Sequence, residues 1–198
     1  MSDKDAFKER GRALEEEYFH RKERELIEKM RAKARAEAAQ QELGSHTGVA
    51  DPQILADLQE LGYTSETISL LHLVPLVQMA WAEGQVSRRE RDLIIEAARA
   101  RGIETDSTAD AQLKGWLTTR PSDELFTTTL RAIAAMFASR PEEERAAGEK
   151  DLLSYLTSIA SASGGVLGFG AVSDQERAVL ERVTAELEQA HGTSDEPR

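Results

Sequence analysis

Between residues 51 and 190 apolar side chains recur every three or four positions, the spacing of helices with one buried face. Asp51 followed by Pro52 reads as an N-cap with proline at the first helical position, and Ile54, Leu55, Leu58 and Leu61 follow on one side until Gly62. Ser65 is placed to cap a second helix. Residues 71–82 predict a nearly buried third, with Pro75 close to its start and Gly84 at its end. Ser87 and Glu90 have capping-box spacing and open a helix whose inner face is Leu93, Ile94, Ala97 and Ala98, stopped by Gly102. A short helix is expected over 109–117, with Trp116 turned inward. Pro121 opens the next, facing the core with Leu125, Leu130, Ile133, Ala134 and Phe137. Pro141 opens a longer one with Leu152, Leu153, Leu156 and Ile159. Ser173 and Glu176 form a second capping box ahead of Val179, Leu180, Val183 and Leu187. No segment alternates as a strand does, so the pattern predicts an all-α bundle.

The first 43 residues behave differently. Good helix formers fill 5–35 and predict one long helix, yet its apolar residues are few. At about 100° per residue, Phe7, Leu14 and Tyr18 share one narrow stripe, and Phe19, Leu26 and Met30 share another. Such a helix is too thinly apolar to anchor a core and has the composition of a docking element, with aromatic anchors in a charged surround. The pairs Glu17–Arg21 and Glu25–Lys29 stand in the favourable i,i+4 order. The pattern thins over 36–43, and Gly44-Ser45-His46-Thr47-Gly48 reads as a linker. The expected organisation is a partner-binding helix over 1–43, a linker over 44–50, a helical bundle over 51–190 and a frayed tail over 191–198. Within the bundle, Val86-Ser87-Arg88-Arg89-Glu90-Arg91 is echoed by Val172-Ser173-Asp174-Gln175-Glu176-Arg177, which points to duplicated helical hairpins.

Charge and composition narrow the function classes. Among 198 residues the net charge is −11. Residues 1–43 hold 11 basic against 11 acidic side chains, so the remainder, with 14 against 25, carries all of it. That argues against nucleic acid as a partner. The mean hydropathy is −0.49. The longest weakly charged stretch, 67–82, is shorter than the roughly 20 residues of a membrane span. No apolar h-region follows Met1, so no signal peptide is expected. The absence of cysteine fits a reducing compartment, and a cytoplasmic location is expected. His20, His46, His72 and His191 lack zinc-ligand spacing. No metal site is expected, the weak candidates being Glu83 and Glu90, for Glu90 and Glu176 sit where a carboxylate serves a helix start. The glycine-rich segment 163–173 lacks the lysine and hydroxyl ending of a phosphate loop and reads as an interhelical turn. No triad context is present. The sequence predicts neither an enzyme nor a cofactor.

Two resemblances follow from particular residues. The segment VPLVQMAWAEGQVSRRERDLIIEAARARGI, through Ala82, Glu83, Gly84, Val86 and Glu90, resembles the TerB-like (tellurite-resistance) all-α domains, over roughly 51–190. Glu83 stands where that family has aspartate, and the second half has Ser163-Gly164-Gly165 in place of an acidic turn. Near the amino terminus, Ala6-Phe7, Arg10, Ala13, Glu15-Glu16, Tyr18-Phe19 and Glu25 resemble the inhibitory region of the mitochondrial ATPase inhibitor protein. The same stretch is more weakly similar to the inhibitory zeta subunit of α-proteobacterial ATP synthases. The inhibitor's histidine-rich stretch and its coiled-coil tail have no counterpart. This second resemblance implies Phe7, Tyr18 and Phe19 as apolar anchors, and Arg10, Glu15 and Glu16 as charged contacts, to which the apolar stripes add Leu14 and Leu26 as partner-binding residues. It also implies the catalytic subunits of F-type ATP synthase as the partner. Together the two imply a non-enzymatic regulator of ATP hydrolysis, its helix presented by a TerB-like bundle. The alternative is a TerB-like stress-response module, with divalent-metal binding in its repertoire, docking another protein through the same helix. Self-pairing of the helix into a homodimer is the further partner it allows.

Overall fold

The computed structural model describes the backbone of residues 3–162 and 172–192, and the side chains of residues 17–162 and 172–189. All regular elements among the described residues are helices. They are α1 (Asp3–Thr47), α2 (Pro52–Glu60), a 3₁₀ segment (Ile68–Leu73), α3 (Val74–Ala80), α4 (Arg88–Ala100), α5 (Thr108–Trp116), α6 (Asp123–Ala138), α7 (Glu142–Ala162) and α8 (Asp174–Gly192). The chain divides into two units, Met1–Gln41 and Glu42–Arg198.

In the first unit the helix is a continuous run of good helix formers, and every side chain from 17 to 38 is exposed. In the second, a single core collects Leu58, Leu70, Leu73, Leu76, Val77, Ile94, Leu113, Ile133, Leu156 and Val183, among others, all nearly inaccessible. All seven residues of α3 are buried. That short apolar helix packs against α6, α7 and α8.

Several boundaries differ from the sequence expectation, each for a local reason. Helix α1 does not end near 43 but continues to Thr47, so four residues of the expected linker are helical. Leu43 and Thr47, one turn apart, are both buried, as is Val49. The Thr47 hydroxyl donates to the Leu43 carbonyl at 2.9 Å and accepts from the Val49 N–H at 3.2 Å. Gly44 keeps its place because Leu55 Cδ1 would lie 3.2 Å from any Cβ there. The chain leaves the helix at Gly48, whose φ of +73° suits glycine. Ser65 caps nothing. The 3₁₀ segment follows Thr67 without a side-chain cap. Residues 71–82 are not one helix, because Pro75 lacks an N–H and must sit in a first turn, so α3 starts afresh at Val74. Likewise α6 starts after Ser122, whose hydroxyl accepts from the Leu125 N–H at 3.1 Å, rather than at Pro121. At the other end α8 runs to Gly192. The segment 163–171 and the tail from 193 lie outside the described residues.

The two sequence echoes occupy equivalent places. Each capping box opens the second helix of a hairpin, α3–α4 or α7–α8, and each Ser N–H meets its Glu carboxylate at 2.7 Å while each Ser hydroxyl accepts at 3.2 Å. Helix α3 packs on α7, α4 reaches across to α7, and α8 reaches across to α3. Exchanging the hairpins preserves that set of contacts, as a duplicated bundle requires.

Candidate functional site: the exposed face of α1 and the paired capping carboxylates

Three of the sequence-predicted anchors stand in solvent. Tyr18 is 48%, Phe19 67% and Leu26 59% exposed. Ile27 and Met30 join them at 40% and 64%. Ile27 falls about 60–100° beyond the Phe19, Leu26 and Met30 stripe, on the side away from Tyr18, which is why helical periodicity passed over it. Scattered exposed apolar residues are ordinary, whereas Phe19, Leu26, Ile27 and Met30 fall within about 100° of arc on one helix and make a patch, with Tyr18 at its flank about 80° from Leu26. The Tyr18 and Phe19 rings meet edge to face, 5.9 Å between centroids. Arg21 and Lys22 lie over the Tyr18 ring at 5.7 and 6.0 Å, a basic rim beside the aromatic pair. Phe7, Arg10, Leu14, Glu15 and Glu16 belong to the same helix, with side chains outside those described.

The ion pairs of this face differ from the expected ones. Glu25 takes Lys22 at 3.0 Å, and that hydrogen bond holds its carboxyl below the usual range. Lys33 approaches Glu37 at 3.7 Å, and His20 approaches Glu23 at 3.8 Å. All are exposed, so solvent screening leaves them little weight in holding the helix.

The second set of candidates lies in the bundle. Glu90 is 3% exposed and Glu176 1%, while Glu83 is exposed. Burial pushes the Glu90 carboxyl above its ordinary range, hydrogen bonds from Ser87 pull it down, and the charges of Glu176 and Glu83 push it up again. The two capping carboxylates are therefore electrostatic neighbours, one from each hairpin. No group of three or more histidine or carboxylate side chains is gathered for a metal ion among the described residues. A Glu90 oxygen is already taken by the Ser87 N–H.

Other polar chemistry in the bundle escaped the sequence reading. Asp110 is buried and accepts from Arg99 at 2.5 Å, Lys114 at 2.7 Å and the Asp106 N–H at 2.9 Å. Those three donors hold its carboxyl far below the usual range. The cluster pins the loop before α5, where Asp106 has a positive φ. An i,i+4 Asp110–Lys114 spacing was visible, but not the arrival of Arg99 from α4. Tyr63 donates to or accepts from Thr129 at 3.0 Å inside the core, and burial pushes its phenol up. The Trp81 indole N–H donates to the Trp116 carbonyl at 2.8 Å, tying α5 to the end of α3. A cleft of about 500 Å³, floored by Val49, Ile54, Ala134, Ala135 and Ala138 and edged by Arg131, opens beside α6.

The molecule is thus an all-α helical bundle with a long, exposed amino-terminal helix. Comparison with protein-family models, with curated proteins and with solved structures finds no match. No helix among the described residues is long and apolar enough to cross a membrane.

Proposed function

We propose that the protein is a non-enzymatic regulator whose α1 helix docks on the catalytic subunits of F-type ATP synthase and suppresses ATP hydrolysis, with the bundle presenting the helix. The observation that carries this reading is the exposed patch of Tyr18, Phe19, Leu26, Ile27 and Met30 on a 45-residue helix. Burying such side chains is worth about 2 kcal/mol each, so the set would offset much of an association cost on the order of 4–15 kcal/mol. Charged contacts and a helix already formed must supply the rest. The choice of partner rests on the resemblance of residues 6–25 to the inhibitor region.

The test is hydrolysis by purified ATP synthase in the presence of the full chain and, separately, of a peptide of residues 1–43. Dose-dependent inhibition by both is expected. Tyr18→Ala with Phe19→Ala should weaken it at least about tenfold, as loss of hot-spot aromatics does, and Lys33→Ala should not. Absence of inhibition at large excess of both species would sink the proposal.

A second reading is supported by the matched capping boxes of α4 and α8, which suit a duplicated TerB-like module that docks a different protein through α1. Calorimetry with Ca²⁺ would separate its metal-binding form, since heat lost on Glu83→Gln with Glu90→Gln would favour it. A flat titration would remove that form.

A further inference from the structure

Every side chain of α1 from 17 to 38 is exposed, and Phe19, Met30 and Leu26 stand furthest out among its large apolar residues, at 67%, 64% and 59%. With Glu23, Lys33 and Glu37 they occupy positions 19, 23, 26, 30, 33 and 37, spaced alternately by four and three residues. The helical backbone runs through positions 12 and 16, an arginine and a glutamate, which extend the same series. Such alternation is the heptad spacing of a helix that packs along another helix. At about 100° per residue, all these positions fall within about 100° of arc.

The order of charges along the series selects the partner. From the amino-terminal end it reads basic, acidic, apolar, acidic, apolar, apolar, basic, acidic. In a parallel pair each position faces its own copy, so every charged one meets like charge. In an antiparallel pair whose two-fold axis crosses between residues 24 and 25, Arg12 is level with Glu37 of the second copy and Glu16 with Lys33. Phe19 is then level with Met30, and Glu23 with Leu26. Opposite charges close both ends, and the two most exposed apolar side chains meet. A slide of one heptad in either direction sets Phe19 against a glutamate, Glu23 or Glu37. Lys22 and Lys29 of the second copy flank the seam as like charges, which Glu25, 3.0 Å from Lys22, offsets. Residues 1–43 balance 11 basic against 11 acidic side chains, so two copies of the helix carry no net repulsion.

We propose that α1 pairs with α1 of a second copy of this chain as an antiparallel coiled coil centred between Arg24 and Glu25. The pairing shares residues with the docking face of the proposed function. It does not rest on that reading, and it is measured with no other protein present.

Sedimentation equilibrium of the full chain reads the dimer. A monomer–dimer equilibrium is expected, and Lys33→Glu should weaken it about tenfold, because two opposite-charge pairs become like-charge ones. Adding Glu16→Lys to that variant should restore it. The two positions lie roughly 25 Å apart along one helix, so the rescue acts only between copies. The chain has no cysteine, so spin labels on Arg21→Cys, Glu28→Cys and Arg35→Cys, all exposed positions, each report one interchain distance. The register requires equal distances at 21 and 28, each offset by about 10 Å along the axis, and a longer one at 35, offset by about 30 Å. Three equal distances would mean a parallel pair, and unequal ones at 21 and 28 another register. Either result overturns the proposal, as does a dimer that Lys33→Glu leaves unchanged, a failed rescue, or a chain that stays monomeric up to about 1 mM.

Discussion

Glu90 shows how a single buried carboxylate can serve two opposing demands. Its capping bond to the Ser87 N–H favours the ionised form, while burial and the neighbouring Glu176 favour the protonated one, and burial dominates. With the folded-state pKa above the ordinary 4.5, the folded chain holds this proton more firmly than the unfolded chain does. Stability from Glu90 is therefore complete below about pH 4.5 and declines as pH rises through its folded pKa. Glu90→Gln keeps an acceptor for the Ser87 N–H and removes the charge. The expected outcome in urea titrations is a variant that gains on the natural protein between pH 4 and 7. A constant difference over that range would contradict it. Asp110 works with the opposite sign. Its pKa is depressed, so its contribution is present above the ordinary 3.8 and is lost only as strong acid is approached. The capping role of Glu90 was legible from Ser-x-x-Glu spacing. Its burial was not, because nothing local in the chain reveals that another hairpin's carboxylate arrives beside it.

At the scale of elements, sequence punctuation worked where one residue decides the backbone and failed where a neighbour does. Gly62, Gly84 and Gly102 end their segments with positive φ, as the pattern predicted. The end of α1 was misplaced because the burial of Leu43, Thr47 and Val49 holds 44–47 in a helix that propensity alone would let fray. The meeting of α6 and α7 is another contact that sequence could not show. A Cβ on Gly148 would lie 2.6 Å from Phe137 Cε1, 3.3 Å from Cζ and 3.4 Å from Cδ1. The Phe137 ring is buried and cannot swing clear as a flexible chain end would. Alanine at a helix interior gains about 0.8–1 kcal/mol over glycine, but overpacking costs about 1–3 kcal/mol. Overpacking wins. Gly148→Ala should thus lower the unfolding free energy by up to about 2 kcal/mol, read from denaturant midpoints. Gly115, in α5, has nothing within 4 Å of such a Cβ. There the helix term stands alone, and Gly115→Ala should stabilise by up to about 1 kcal/mol. Equal effects at the two glycines would show that propensity, not the α6–α7 contact, governs both.

At the scale of the whole molecule, the question is where the folding unit stops and the docking helix begins. Composition placed the change near residue 43, and the division of the chain falls close by, between Gln41 and Glu42. The few residues between those positions and Pro52 separate two outcomes. A chain of residues 42–198 keeps Leu43, Thr47 and Val49, which are 1%, 6% and 4% exposed and belong to the bundle. It loses residues 1–16, the exposed side chains from 17 to 38, the half-buried Ala39 and Gln40, and the exposed Gln41. Its unfolding free energy should stay within about 0.5 kcal/mol of the full chain, the usual range for changes away from a core. A chain of residues 50–198 loses the three buried residues as well. Removing a buried leucine costs about 2–5 kcal/mol, and a buried valine adds about 1.5 kcal/mol or more. It should be weaker by at least about 3 kcal/mol, or fail to fold. Equal loss in both truncations would place 1–41 inside the cooperative unit and weaken the case for a free docking face. If only the shorter chain suffers, the 42–198 species becomes the proper negative control for ATP hydrolysis. It carries the intact bundle without Tyr18, Phe19, Leu26, Ile27 or Met30, so inhibition that survives in it would have to be assigned to the bundle instead of the helix.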